Sequence, residues 1–170
     1  MTMKTLITCF LGLTLLVSCQ NDPAPQTSTN TTAEVTKANH KAFHSTLKAH
    51  INAISKRDIQ TLTNLMHPSG TMHMMRHNTP VIYSTDRYIK YHNLWFEDNT
   101  WKLTAQITDS NVGQKLGWAL VDVTYRNEKP NTKFYTNKML ITYVMEKVDD
   151  QWYVISDHAT SVEKTFDKKK

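Results

Sequence analysis

The chain has 170 residues and a formal net charge of +5, from 20 Lys and Arg against 15 Asp and Glu. This length supports one domain. The positive charge is too small, over so many residues, for a nucleic-acid-binding surface. Two cysteines cannot build a disulfide scaffold. A hydrophobic fraction of 39% is enough for a core, which excludes a chain that is disordered throughout.

Residues 1–18 have the pattern of a signal peptide. Lys4 precedes an apolar run of about a dozen residues, shorter than the roughly 20 residues of a membrane-spanning helix. The run ends in Leu16-Val17-Ser18-Cys19, which resembles the lipobox of bacterial lipoproteins. The resemblance implies that residues 1–18 are removed and that Cys19 is lipidated, with palmitate or a similar chain, as a membrane anchor. The alternative is an ordinary secretory peptide in which Cys19 has no role.

The rest of the chain divides into a tether, a domain and a tail. Residues 19–33 hold the lipidated Cys19 and a polar tether, residues 34–163 the folded domain, and residues 164–170 a basic tail. Because Cys9 leaves with the signal peptide and Cys19 is modified, the domain has no thiol for catalysis or metal binding. We expect a lipid-anchored protein of the bacterial cell envelope, at the outer membrane and facing the periplasm or the surface.

Three helices are predicted in the first half of the domain. Apolar residues recur every three to five positions over residues 34–57, which indicates a helix with one buried stripe. Asp58 can cap a second, short helix, which Pro68 and Gly70 end. A third helix follows Ser84 or Thr85, either of which can act as its N-cap.

Strands are predicted before and after the third helix. Two short segments around a polar turn indicate a hairpin, and four long segments rich in β-branched and aromatic residues follow, with turns between them. The segments are 71–76, 81–83, 101–108, 116–125, 133–147 and 151–162. Helices followed by an antiparallel meander indicate an α+β fold with the helices on one face of the sheet.

The late strands carry apolar residues on both faces. Trp152 and Val154 share one face of the last strand, and Tyr153 and Ile155 share the other. In a sheet with one face exposed to solvent, apolar and polar residues should alternate more regularly along each strand. We therefore expect the second face to be covered by another subunit in a homodimer. The alternative is a partly apolar face exposed to solvent.

The order of elements resembles the nuclear transport factor 2-like superfamily, in its SnoaL-like and ketosteroid-isomerase-like branch. Two motifs strengthen the likeness, an entry into the second helix over residues 55–66 and a last strand over residues 150–161. The resemblance covers residues 34–163. It implies a cone-shaped, curved antiparallel sheet wrapped around a long N-terminal helix, as in cystatin-like α+β folds, with a pocket at its wide end and frequent dimers. The superfamily contains isomerases, dehydratases, cyclases, ligand binders and association domains.

Asp122 and His158 are the candidate catalytic residues. His158 has the strand parity of Trp152, which predicts an inward side chain near the pocket and leaves Asp157 outward. Asp122 shares a face with Trp118, and a carboxyl group in an apolar cavity has a raised pKa and can transfer protons. The alternatives are a structural His158 and a solvated Asp122.

Five further residues are predicted to line the ligand pocket: Tyr88, His92, Trp118, Tyr143 and Trp152. No metal site or cofactor is expected. His73, Met75 and His77 suit copper(I) in type, but the outer two would lie about 13 Å apart on one strand. His40 and His44 lack a third ligand.

Two functions remain open at this point. The first, which we favour, is a membrane-anchored, dimeric module that binds a small apolar ligand or a protein partner, with no role in nucleic-acid binding. The alternative is a small proton-transfer enzyme, related in activity to isomerases and dehydratases, that uses Asp122 and His158 as acid and base.

Overall fold

The computed structural model of the protein describes residues 28–128 and 134–167. The predicted signal peptide, the predicted lipidation site Cys19 and the last three residues of the predicted basic tail lie outside the described residues. None of the described helices is long and apolar enough to cross a membrane.

The first helix, α1 (Ser28–Lys56), is the central element of the fold. The sequence pattern predicts this helix at residues 34–57. The observed helix begins six residues earlier and ends one residue earlier. Its stripe of Phe43, Leu47, Ile51 and Ile54 is buried against the sheet, as the helical spacing predicts.

Two shorter helices, α2 (Ile59–Asn64) and α3 (Thr85–Phe96), follow the predicted positions. The Asp58 side chain accepts a hydrogen bond from the backbone N–H of Thr61 at 2.9 Å and caps α2. Ser84 caps α3 in the same way, through Arg87. These caps fix the first residue of each helix.

Five strands form one curved sheet in the order β1-β5-β4-β3-β2. They are β1 (His73–Arg76), β2 (Trp101–Val112), β3 (Leu116–Asn127), β4 (Phe134–Val148) and β5 (Gln151–Asp167). The predicted antiparallel meander is β2 to β5. The short β1 pairs with β5 in parallel, so the sheet is mixed. The predicted hairpin is reduced to a single antiparallel bridge between Met74 and Ile82.

The sheet closes tightly over α1 at Gly117. A Cβ atom on Gly117 would lie 2.8 Å from Cε2 of Phe43, closer than real contacts of this type. The Phe43 ring in turn packs edge-on against Trp152, with ring centroids 5.1 Å apart. Gly117 therefore allows the first helix to pack directly on β3.

A β-bulge interrupts the alternation of β5. Val144 lies opposite Ser156, but the next residue, Met145, lies opposite Val154, so Ile155 is an extra residue. An extra residue bends the strand and shifts the side chains after it to the other face.

The effect of this bulge is visible in burial along β5. Trp152 and Val154 point into the concave side before it, and Asp157 and Ala159 do so after it. His158 is consequently exposed on the outer face. The prediction that His158 points inward and Asp157 outward is therefore wrong.

A second bulge occurs further along β5. Val162 is the extra residue between Ser161 and Glu163. It returns Lys164 to the concave side, where this side chain reaches the rim of the cavity described below.

Candidate functional site

A cavity of about 420 Å³ lies at the wide end of the concave sheet, between the sheet, α1 and α3. Its volume is in the range of small-molecule sites. Six of its wall residues are large aromatic side chains: Tyr88, Tyr91, Trp95, Tyr125, Tyr135 and Tyr143. A few polar groups converge among them, so the cavity has an apolar body with defined polar points.

Asp157 places a buried carboxyl group in the cavity wall. Its side chain is 6% exposed, because the bulge at Ile155 turns it into the concave side. Burial raises the pKa of Asp157 to about 7, although a hydrogen bond from Tyr88 and the charge of Arg76 act in the opposite direction. Asp157 can thus exchange a proton near neutral pH.

A relay of three buried side chains supports Asp157. The Tyr88 hydroxyl interacts with the Asp157 carboxyl group and lies 3.1 Å from Nε2 of His50 on α1. Burial, with a smaller effect from His92, lowers the pKa of His50 to about 3, so its ring is neutral.

Tyr143 and His92 complete the deep end of the cavity. Burial, and next the charge of Asp157, raise the pKa of Tyr143, so its hydroxyl keeps its proton at neutral pH. His92 Nδ1 lies 2.9 Å from the Tyr88 carbonyl oxygen, to which it donates. Burial lowers the pKa of His92 to about 4, which leaves it a neutral ring.

Arg76 and Asn137 carry unpaired polar atoms in the wall. The Arg76 guanidinium stacks 4.1 Å from the Tyr91 ring centroid and donates from Nη1 to the Tyr91 hydroxyl at 2.7 Å. Within the part of the chain that the structure describes, Arg76 Nε and Asn137 Oδ1 have no hydrogen-bond partner. Buried polar atoms of this kind favour a ligand that can pair with them.

The family model of the SnoaL-like domain matches residues 44–162. The chain belongs to the SnoaL-like domain family. No curated protein matches this SnoaL-like domain significantly.

Solved structures share the fold of this SnoaL-like domain. A protein from Streptomyces avermitilis, provisionally assigned as a dehydratase of the NTF2-like family, has 17% identity and a TM-score of 0.65, covering 75% of this chain and 99% of its own. A ketosteroid isomerase-like protein from Erwinia carotovora atroseptica has 12% identity and a TM-score of 0.61, covering 72% and 95%. The hexachlorocyclohexane dehydrochlorinase LinA-type3 from Novosphingobium barchaimii has 10% identity and a TM-score of 0.64, covering 81% and 94%. At these identities the likeness shows the fold alone.

Neither of the two predicted catalytic residues lines the cavity of this SnoaL-like domain. Asp122 is exposed on the outer face of β3, because Val121 and Val123 are the inward residues there. His158 is exposed on the outer face of β5, because the bulge at Ile155 turns it outward. The prediction that Asp122 faces the pocket is wrong, and neither residue has an enclosed site for acid–base chemistry.

The five predicted pocket residues divide into two groups. Tyr88, His92 and Tyr143 lie in the cavity wall. Trp118 is 40% exposed on the outer face, and Trp152 is buried in the core beside Phe43, outside the wall. Within residues 28–128 and 134–167, no three His, Cys, Asp or Glu side chains come together as a metal site.

Sequence reasoning missed Asp157, Asn137 and Arg76. Strict alternation along β5 placed Asp157 outside, and the apolar residues on both faces of the strand left no break that indicates a bulge. The one local signal was its position next to His158 in the last-strand motif. Asn137 lies between the polar residues Thr136 and Lys138, so its polarity marks neither face.

Proposed function

We propose that this SnoaL-like domain binds a small, largely apolar molecule in its cavity. The observation that carries the proposal is an aromatic cavity of about 420 Å³ whose wall also holds the polar side chains of Arg76 and Asn137. Sites of this composition bind ligands through apolar burial, and a few polar groups fix the orientation.

Fluorescence titration with the neutral apolar probe N-phenyl-1-naphthylamine tests the proposal. Ala159 lines the cavity, so Ala159→Phe should fill part of it and weaken binding at least tenfold. Thr124→Phe, which adds the same ring on the exposed face of β3, is the matched control and should bind like the wild type. Equal binding by both variants would show that the probe does not occupy the cavity.

A second candidate function, proton transfer, is favoured by the position of Asp157. As a carboxylate it can take a proton from a carbon next to a substrate carbonyl, and the electron pair left behind moves onto the carbonyl oxygen. The protonated hydroxyl of Tyr143 can donate to the oxyanion so formed. Returning the proton to another carbon completes an isomerisation, whereas loss of a leaving group completes an elimination.

Exchange of the α-protons of an aryl ketone with D₂O, followed by NMR, tests this second function. Asp157→Asn should lower the exchange rate about 100-fold or more, because general-base catalysis contributes 10²–10⁴-fold. Asp122→Asn removes a carboxylate from the outer face and should have no effect. Unchanged exchange in Asp157→Asn would refute proton transfer by this group while leaving ligand binding intact.

We also propose that the protein is a lipoprotein of the cell envelope, anchored through Cys19. The support is the Leu16-Val17-Ser18-Cys19 sequence at the end of the apolar run. Cys19→Ser should abolish incorporation of labelled palmitate and remove the mature protein from the membrane fraction. Identical membrane partitioning of wild type and variant would contradict the anchor.

Homodimerisation through the outer sheet face is the remaining proposal. Leu116 and Trp118 are 56% and 40% exposed there, and Val144 is the register partner of Trp118 on β4. Exposed apolar side chains close together on one face of a sheet favour association with a second copy of the chain.

A further inference from the structure

We propose that the ligand is an organic anion whose apolar body lies in the cavity and whose acidic group lies in a basic groove beside it. The basic groove is the surface depression lined by Arg76, His77, His158 and Lys164, between β1 and the end of β5. The inference rests on the proposed ligand-binding function and adds the chemical class of the ligand.

The groove exists because β1 is much shorter than β5. The two strands pair only from His73 to Arg76, opposite Ser156 to Ala159, whereas β5 continues to Asp167. The step where β1 ends leaves a depression of about 390 Å³. A ligand bound there needs no opening of the fold.

The groove and the cavity are parts of one cleft. Five residues line both depressions: Arg76, His77, Ala159, Ser161 and Lys164. One molecule can therefore occupy both, with its apolar part against the aromatic wall and its polar end in the groove. This division matches the chemistry of the two surfaces, since the cavity wall is mainly apolar and the groove is mainly polar.

The charges of the groove are unbalanced. Arg76 and Lys164 form no ion pair with another residue that the structure describes, and His77 and His158 lie beside them. The carboxylate in the groove wall belongs to Glu163, which Lys138 holds at 2.9 Å. An acidic ligand group would supply the missing counter-charge.

Arg76 is held in an orientation suited to an acid. Stacking on Tyr91 and the 2.7 Å hydrogen bond from Nη1 fix the plane of its guanidinium. Its buried Nε–H is unpaired among the described residues, although the Asp157 carboxyl group lines the same cavity. A guanidinium held in one plane is the geometry that arginine uses to bind carboxylates and other oxyanions.

Two fluorescent probes that differ in one group test the inference. 1-Anilinonaphthalene-8-sulfonate has the ring system of N-phenyl-1-naphthylamine and adds one sulfonate. We expect the wild-type protein to bind the sulfonate probe about tenfold more tightly at low salt, with a smaller margin at high salt, because the groove is open to solvent.

Variants that remove one positive charge test whether the groove causes the preference for the sulfonate probe. Arg76→Gln and Lys164→Gln should each lower the ratio of the two affinities severalfold, and together about tenfold. Lys115→Gln removes an exposed lysine from the turn between β2 and β3, away from the groove, and should keep the ratio of the wild type. Lys164 is exposed, so Lys164→Gln keeps the test valid even if Arg76→Gln fails to fold.

The outcomes separate this inference from the function on which it rests. A ratio near one in the wild type, or a ratio that Arg76→Gln and Lys164→Gln leave unchanged, would overturn the anionic ligand while the apolar site stands. Sulfonate binding that survives Ala159→Phe would also overturn it, because the probe would then lie elsewhere. Failure of both probes to bind would instead remove the proposed ligand-binding function itself.

Discussion

Asp157 is the residue on which the proposed proton transfer depends. A carboxyl group with an ordinary pKa would be fully charged at neutral pH, whereas burial brings this one to a pKa of about 7. The Tyr88 hydroxyl and the Arg76 charge limit the shift, so the site is balanced between the two protonation states. Such a group can either accept a proton from a ligand or donate a hydrogen bond to it.

The raised pKa of Asp157 predicts how Asp157→Asn changes stability with pH. The folded protein holds the proton more tightly than the unfolded chain, so Asp157 favours folding fully below about pH 4 and loses that contribution as pH rises through 7. Relative to the Asn variant, the wild type should lose about 1.4 kcal/mol of unfolding free energy per pH unit in this window. Chemical denaturation of both proteins from pH 4 to pH 8 measures the difference.

His50 and His92 act in the opposite direction in that experiment. Their lowered pKa values make both proteins more stable as pH rises toward 6.5, and this effect cancels when the two proteins are compared. A stability difference that stays constant from pH 4 to pH 8 would contradict the raised pKa of Asp157.

The elements follow from the sequence more completely than the site does. Apolar spacing reports which residues of a helix or strand are buried, and it located all three helices and the four long strands. The parallel pairing of β1 with β5 joins segments that lie far apart in sequence, so no local pattern indicates it. The bulge at Ile155 is equally a property of two paired strands. This one extra residue places Asp157, instead of His158, on the concave side.

The packing of α1 on β3 predicts the effect of Gly117→Ala. The added methyl group would meet the Phe43 ring at 2.8 Å and force the helix or the ring to move. We expect a loss of about 1–3 kcal/mol in the free energy of unfolding, measured by denaturation. Phe43→Leu in the same chain should recover part of the loss, because it removes the ring with which the added methyl group clashes. Strictly additive effects of the two substitutions would contradict the direct contact.

At the scale of the whole molecule, the two faces of the sheet have different roles. The concave face packs on α1 and forms the cavity, whereas the outer face holds exposed apolar residues together with Asp122 and His158. The apolar pattern on both faces of the strands was visible in the sequence. Assignment of each face to core or surface required the register of the strands, which is why the fold was predictable and half of the candidate site was not.

The outer face predicts a dimer that Trp118→Asp should weaken. A charge at this partly exposed position of the apolar patch would have to be buried without a partner on association. Size-exclusion chromatography with light scattering should give a dimer for the wild type and a monomer for the variant at micromolar concentration. Leu94→Asp, an equally drastic change on the exposed side of α3, is the control and should stay dimeric. A monomeric wild type would contradict the proposal.

The central claim, that the cavity binds a small apolar molecule, is tested most directly by NMR of the methionine methyl groups. Met74 and Met139 line the cavity, while Met72 and Met145 are fully buried elsewhere in the core. On titration with N-phenyl-1-naphthylamine, the ring current of the probe should shift the methyl signals of Met74 and Met139 and leave those of Met72 and Met145 in place. Binding without a shift at Met74 and Met139 would contradict the account.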